Sequence, residues 1–369
     1  MDDKTNNRHS IVIIVVFAII IGGLSVLNII MSPPDILMSE RRVRERIPDL
    51  SFESITSGDF MAGFEEYAAD RFPFRDGFRA LHAATVFGVF LQTDNDSIYF
   101  DSHGIGSFQA IDTQSVELMA AKINAVADGL GDLNIFYAFI PDKSIYAERT
   151  MPGFDYVLTQ QLLGEKLGQF TFIPLVDVLT ADSFYRTDLH WCQVSIGDVA
   201  TALGIAMGVE IDFEQFIRQY AGQFRGGYAG QFALPVRSES LYYLYNPHIR
   251  AFYMNMGTRA FEEGVVYDLD MFHGFDPYDI FLRGAQPLIV LENENATSNR
   301  ALYIFRDSFA SSLAPILASA YARVTLVDFR FIDLRTLHTL IDFTEGADVL
   351  FLYSAGILNN SDMLMIPVN

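Results

Sequence analysis

Residues 11–31, IVIIVVFAIIIGGLSVLNIIM, contain no charged side chain. At about 1.5 Å of rise per residue, a helix of that length spans a hydrocarbon core of about 30 Å. The run therefore reads as a transmembrane helix. A cleaved signal peptide is the alternative, but the run exceeds an ordinary signal h-region and NIIMSPPDI offers no A-x-A-like site, so an uncleaved anchor is expected. This divides the chain into a cytoplasmic tail and anchor (1–31), a charged, Pro-bearing stalk (32–51) in which SPP stops the helix, and a body (52–369) across the membrane.

Charge helps to narrow the partners. Lys4 and Arg8 precede the apolar run, whereas Arg41, Arg42, Arg44 and Arg46 follow it. Counted alone, positive-inside would leave the body in the cytoplasm, but that rule is weak for long translocated domains. Asp2 and Asp3 balance Lys4 and Arg8, so the whole net charge of −21 falls beyond the anchor. Such a surface argues against nucleic acid or an anionic membrane face as partner. With Cys192 as the single cysteine, neither an intramolecular disulfide nor a Cys-based structural zinc site is available. Half of the residues are hydrophobic, enough for a substantial core without such staples.

From residue 52 to about 91, Phe60, Phe64, Tyr67 and Ala68 recur at helical spacing, and Pro73 in DRFPFRD predicts two amphipathic helices meeting at a bend. Helical and strand-like segments then alternate: SVELMAAKINAVADGL as helix, LNIFYAFIP and FTFIPLVDVL as strands, VSIGDVATALGIAM as helix. After PLIVLE and ALYIFRDSF, a helical run over 309–322 precedes RVTLVDFR and ADVLFLYSA. This rhythm predicts an α/β sheet. Residues 205–285, with FRGGYAGQF and LYYLYNPHIRAFYMNM, read as an aromatic-rich and Gly-rich insertion.

No Walker A loop, G-x-G-x-x-G, H-E-x-x-H or EF-hand loop occurs, and the seven histidines are scattered, so neither a cofactor nor a metal site is expected. Two stretches carry candidate chemistry. In SFYRTDLHW, Asp188 stands two residues before His190. In RDSFASSLAPIL, Asp307 and Ser308 fall on a strand-to-helix turn, where backbone N–H groups point at a developing oxyanion. Each stretch alone also fits an ordinary helix cap. Together they supply a nucleophile, a general base and an orienter of that base. Neither the order Asp, His, Ser nor the absence of G-x-S-x-G matches an α/β-hydrolase.

These blocks resemble those of the DHHW family, whose members read close to YYRTDHHWT and, in the second block, KDSYANSFIPFL. RFPFRD, IPDKSIYAE and DPYDIFLRGAQPLIVLEN agree in order, so the resemblance spans about residues 60–355. That family is similar in turn to the alginate O-acetylation proteins AlgX and AlgJ. The resemblance implies an SGNH-hydrolase-like three-layer α/β/α domain outside the cytoplasm, with Asp188 as orienter, His190 as general base and Ser308 as nucleophile. It also implies an acetyl donor delivered by a polytopic membrane O-acyltransferase and a polysaccharide as acceptor, with a carbohydrate acetylesterase as the variant in which water accepts. Arg330 and Lys143 match the family's arginine and lysine and are candidate substrate contacts, with a structural ion pair the alternative for Lys143. Trp191 and Tyr278 are aromatic candidates for a sugar contact. The sequence departs from the pattern at Leu189, where the family has its first histidine, at Cys192, Ser195 and Ile196, and at Arg283–Gln286, where Ala285 replaces an asparagine. These departures leave a non-catalytic glycan-binding or assembly subunit as the alternative.

Overall fold

A computed structural model of the chain describes residues 3–31, 33–37, 39–149 and 153–368, with backbone only for residues 3–9. It divides into two compact units, Met1–Gln92 and Thr93–Asn369. The helices after residue 52, expected in the α/β body, thus group with the anchor and stalk.

In the first unit, α1 (Asp3–Ile30) includes Ser10–Ile30, long and apolar enough to cross a membrane. The stretch expected to be a plain spacer is folded. Strands β1 (Ile36–Leu37) and β2 (Arg42–Val43) pair antiparallel. Arg42 donates to both oxygens of buried Asp70 at 2.7 and 2.6 Å, and Glu40 accepts from Arg75 and Arg79 at 2.5 and 2.8 Å. After α2 (Phe52–Ser57), those carboxylates fasten the stalk to helices α3 (Asp59–Asp70) and α4 (Arg75–Gly88). Pro73 lies between α3 and α4, as its missing N–H requires.

The second unit opens with an antiparallel sheet of β3 (Asp94–Asn95), β4 (Ile98–Asp101) and β5 (Gly104–Ser107). Its main elements follow in chain order: α5 (Thr113–Ala127), β6 (Asn134–Ile140), α6 (Tyr156–Leu167), β7 (Thr171–Phe172), α7 (Gly197–Met207), β8 (Ile217–Phe224), α8 (Gly227–Phe232), β9 (Glu239–Tyr245), β10 (Ile249–Asn255), β11 (Ala260–Gly264), β12 (Leu288–Asn293), β13 (Ser298–Arg306), α9 (Ala310–Leu317), β14 (Tyr321–Val327), α10 (Leu334–Leu340), β15 (Asp348–Ser354) and α11 (Ala355–Leu358). The central sheet runs β11-β10-β12-β14-β13-β15-β6-β7. Strands β14, β13, β15, β6 and β7 are parallel, and β12, β10 and β11 extend them antiparallel.

Alternation along the strands builds a layer on each face. Leu302 and Ile304 of β13 pack with α7 and α9, through Val199, Leu203, Leu313 and Leu317. Tyr303 and Phe305 point the other way, onto α5 and α6 through Met119, Ile123 and Leu163. The result is the expected three-layer α/β/α architecture.

Three local expectations are revised. FTFIPLVDVL forms strand only at β7, because Pro174 has no N–H with which to continue the ladder. The helical run predicted over 309–322 stops at Leu317, and YARVTLV pairs as β14 with strands on both sides, so tertiary pairing overrides local propensity. The presumed insertion is only partly one: β8 and β9 form a separate hairpin, whereas β10 and β11 complete the main sheet.

Candidate active site

The carboxyl ends of the parallel strands converge. Strand β6 leads into Pro141, Asp142 and Lys143, β13 into Asp307 and Ser308, and β15 into Ser354 and Ala355. In α/β sheets this edge is where ligands bind, because loops leave it beside helix N-termini. Buried Asp307 holds the turn by accepting the Phe309 N–H at 3.0 Å and the Ser354 N–H at 2.7 Å, thereby joining the ends of β13 and β15. Beneath it, fully buried Arg306 donates to the Asp307 carbonyl at 3.2 Å and to Ser311 Oγ at 2.9 Å.

Asp188 and His190 belong to a tight loop closed by an antiparallel bridge between Phe184 and Trp191. Glu239 anchors the loop: Oε2 accepts the Arg186 N–H at 2.8 Å, and Oε1 accepts the Thr187 N–H at 2.8 Å and its hydroxyl at 2.5 Å. Asp188 Oδ1 takes the His190 N–H at 3.0 Å and lies 2.7 Å from His190 Nδ1; Oδ2 takes the Gly227 N–H at 2.9 Å. A carboxylate only accepts, so Nδ1 carries the proton and the Nε2 lone pair faces the Ser308 hydroxyl, 2.8 Å away. Burial by itself raises the Asp188 pKa. The hydrogen bond and charge of His190, with the His190 and Gly227 N–H groups, outweigh it and hold the carboxyl well below the usual range.

The imidazole is clamped between rings. Tyr278 stacks on it with centroids 3.9 Å apart and planes within 8°, and Phe309 lies at 4.9 Å. Ser312 organises this wall: its Oγ accepts the Tyr278 hydroxyl at 2.8 Å and the Trp191 Nε1–H at 2.9 Å, and that indole also donates to the Phe309 carbonyl at 3.0 Å. Trp191 is fully buried and Tyr278 nearly so. Against the expectation that these two aromatics meet a sugar, both are buried, Tyr278 stacked on the His190 ring and Trp191 edge-on to Phe309, with no face left free.

Arg330 and Lys143, expected as substrate contacts, are both engaged by partners within the protein. Arg330 makes a paired contact with fully buried Asp328, at 2.9 and 2.6 Å. Lys143 is 5% exposed and donates to the carbonyls of Ile105 at 2.8 Å and Tyr185 at 2.6 Å. It makes no ion pair at contact distance among the described residues. Burial lowers its pKa to about 8 despite the opposing charges of Glu239, Asp188 and Asp101.

The backbone donors at the helix start are fewer than the turn suggested. The N–H groups of Phe309, Ala310 and Ser311 are taken by Asp307 Oδ1, the Asp307 carbonyl and the Ser308 carbonyl. The Ser308 N–H has no acceptor among the described residues. Ala285 is exposed and carries no polar side-chain atom.

Beside the loop opens a cleft of about 210 Å³, lined by Leu189, Phe309, Lys143, Tyr228, Gln231 and Ser354 among others. Leu189, at 38% exposure, takes no part in the Asp188–His190–Ser308 hydrogen bonds and forms part of the cleft wall. Among the described residues, no group of three or more His, Cys, Asp or Glu side chains is placed to hold a metal ion.

Sequence reasoning missed the role of the 226–227 glycine pair. The Gly226 N–H donates to Thr187 Oγ1 at 2.7 Å, and a Cβ there would overlap the Thr187 carbonyl and the Asp188 side chain. Adjacent glycines in FRGGYAGQF were a visible sign of close backbone approach, but nothing in the sequence said to what.

No protein-family model matches the chain, and no curated protein matches it. Solved structures do. A DHHW family protein from Eubacterium siraeum DSM 15702 superposes with a TM-score of 0.60 at 16% identity, covering 73% of this chain and 94% of that one. PatB1 from Bacillus cereus superposes with a TM-score of 0.58 at 18% identity, covering 74% of this chain and 100% of that one. PatB1 solved with a sulfonyl adduct gives 0.55 at 18% identity, with 71% and 97% covered. At such identities the likeness is one of fold: the resemblance read in the sequence blocks extends to three dimensions, and this chain has the fold of a DHHW family protein.

Proposed function

We propose that the protein is a membrane-anchored, extracytoplasmic acyl-transfer enzyme acting on cell-surface or secreted polysaccharide, with Ser308 as nucleophile, His190 as general base and Asp188 as its orienter. The observation that carries this reading is the continuous relay from Asp188 through both nitrogens of His190 to Ser308 Oγ, at 2.7 and 2.8 Å. Two ordinary caps would not bring residues 118 apart in sequence into that register. The apolar helix Ser10–Ile30 supplies the anchor in this reading.

In the first half-reaction Ser308 Oγ attacks the carbonyl carbon of an acetyl ester while its proton passes to His190 Nε2. The Ser308 N–H, left without an acceptor among the described residues, donates to the oxyanion. Collapse expels the donor alcohol, which takes the proton from His190 and leaves acetyl-Ser308. In the second, a sugar hydroxyl gives its proton to His190 and attacks the acetyl carbon, which returns Ser308 to its free form; water in place of the sugar makes the same site an esterase. A polytopic membrane O-acyltransferase would present the first ester at the membrane surface.

The test is intact-mass spectrometry of the full chain in detergent after exposure to p-nitrophenyl acetate. The expected result is one acetyl adduct mapping to Ser308, absent from Ser308→Ala and His190→Ala. No adduct and no hydrolysis between pH 6 and 9 would overturn the reading and favour a glycan-binding subunit. PatB1 has been solved with a sulfonyl adduct, so a sulfonyl fluoride provides a second probe of Ser308.

A further inference from the structure

The loop that carries Asp188 has a second face. Behind Arg186 and Thr187 lies another cavity, of about 430 Å³, roughly twice the size of the cleft beside Leu189 at about 210 Å³. Phe100, Gly104, Ile105 and residues 235–239 form its other walls.

Three features give this space a chemistry. Phe100 is 54% exposed yet held in place, its ring 5.3 Å from buried Phe232, so it offers a fixed apolar platform. The Arg237 guanidinium has no hydrogen-bond or ion-pair partner among the described residues, and Arg186 commits only its Nη2, to the Ser102 carbonyl at 2.5 Å. The single carboxylate in the lining, Glu239, is already occupied at both oxygens by the 186–187 backbone and the Thr187 hydroxyl. Two cationic heads and an aromatic face thus border a cavity on a chain of net charge −21. Most of that surface repels anions, but at physiological salt such repulsion fades beyond about 8 Å, which leaves the local guanidiniums to decide what enters.

We infer that this cavity is a second carbohydrate subsite, one that takes an anionic sugar unit of the same glycan whose neighbouring unit lies in the cleft lined by Leu189 and Phe309. The identification of the ligand as a glycan rests on the acyl-transfer reading above. A guanidinium fork pairs with a carboxylate or phosphate through two parallel hydrogen bonds, while the C–H face of the ring covers Phe100. Residues 186–189 reach both spaces, Arg186 and Thr187 lining one and Leu189 the other. Three residue steps extend at most ~11 Å, a span that a short oligosaccharide bridges. In this arrangement Arg237 and Arg186 select the polymer and Leu189 and Phe309 border the reacting unit.

Calorimetric titration of the full chain in detergent tests the inference, with three probes: a galacturonic acid trimer, a glycerol phosphate oligomer and neutral maltotriose. The expected result is binding of an anionic probe at least tenfold tighter than of maltotriose. Arg237→Gln and Phe100→Ala should each lose about tenfold, with unchanged circular dichroism, and Ser308→Ala should bind as the wild type does. Preference for the galacturonate assigns a carboxylate ligand and preference for the phosphate oligomer a phosphodiester; either one, weakened by Arg237→Gln, upholds the anionic subsite. Equal affinity for all three probes, or affinity unaltered in Arg237→Gln, overturns it. Binding without acetyl-Ser308 would keep the subsite and remove the acyl-transfer reading, and acetyl-Ser308 without binding would do the reverse.

Discussion

The Ser308 turn and the Asp188–His190 loop meet at 2.8 Å, but they are held in place by different means. Ser308 sits where β13 passes into α9, between parallel neighbours, and Asp307 ties it by main-chain hydrogen bonds to the end of β15. The Asp188–His190 loop is closed by one bridge and takes a single strand N–H, from Ile105 of β5 to the Arg186 carbonyl at 2.6 Å. Residues 205–285 supply a carboxylate from β9, an N–H from each of Gly226 and Gly227, and the Tyr278 ring, while the Lys143 amine and the Ile105 N–H hold the carbonyls of Tyr185 and Arg186. The sheet therefore fixes Ser308, and the aromatic-rich region supplies most of what fixes His190. The difference teaches that this region, variable in appearance and unlike the rest of the α/β rhythm, is part of the site's framework.

The comparison breaks most severely at Asp188. Asp188→Asn keeps the shape but favours the tautomer with its proton on Nε2, so acetyl transfer from p-nitrophenyl acetate should fall by roughly 10⁴-fold while the thermal midpoint moves little. A loss under tenfold would mean that His190 needs no orienter. Gly226→Ala acts on the framework instead. The added methyl overlaps Asp188 and the Thr187 carbonyl, and a shift of about 1 Å in the base should cost about 10²-fold in rate. Ser308 should stay reactive towards a small sulfonyl fluoride to the extent that the sheet alone positions it. If Gly226→Ala leaves the rate untouched, the glycine pair does not position the acid.

These two regions were also unequally legible in the sequence. The strand-to-helix turn at Ser308 follows from a buried apolar run ending in Arg-Asp-Ser before a helical pattern, and local periodicity is enough to read it. Asp188 and His190 were visible as a pair, but their supports were not, because Glu239, Gly226 and Tyr278 reach the loop from 39 to 88 residues away, through tertiary contacts that no period encodes. Burial reverses readings made from residue type alone. Trp191 and Tyr278 look like sugar platforms until Ser312 is seen to accept from both. Residues 32–51 resemble a linker by composition, yet Glu40 and Arg42 tie them to α3 and α4.

A sharper comparison comes from Lys143, whose amine bonds the carbonyl of Tyr185 in the base loop and that of Ile105 in β5. Its folded pKa of about 8 lies below the ordinary value of 10.5. Between those values the unfolded chain binds more protons than the folded one, so stability rises with pH across that window, and the cost of burying the charged amine is fully present below about pH 8. Relative to Lys143→Met, the wild type should gain on the order of 1 to 3 kcal/mol between pH 8 and 10.5. Denaturant midpoints of both proteins measured at pH 7.5 and 10 check this; parallel shifts in the two would show that Lys143 is not the group responsible.

The smallest effect separates support from substrate contact. Tyr278→Phe retains the ring that stacks on His190 but removes the hydroxyl that donates to Ser312. Because Trp191 Nε1–H still donates to Ser312 Oγ, that oxygen keeps a partner and the loss should be about 1 kcal/mol, read as a lowered denaturant midpoint. As the hydroxyl is buried in the wall behind the base, KM for an acetylated polysaccharide should not move, and kcat should stay within about threefold, as expected for a change that leaves the Asp188–His190–Ser308 geometry in place. A raised KM with unchanged stability would return Tyr278 to the sugar-binding role that its sequence position first suggested. Tyr278→Leu should then sharpen the result: loss of the ring frees one face of the imidazole and should lower kcat more than any change in KM, because the interaction removed is one that positions the base.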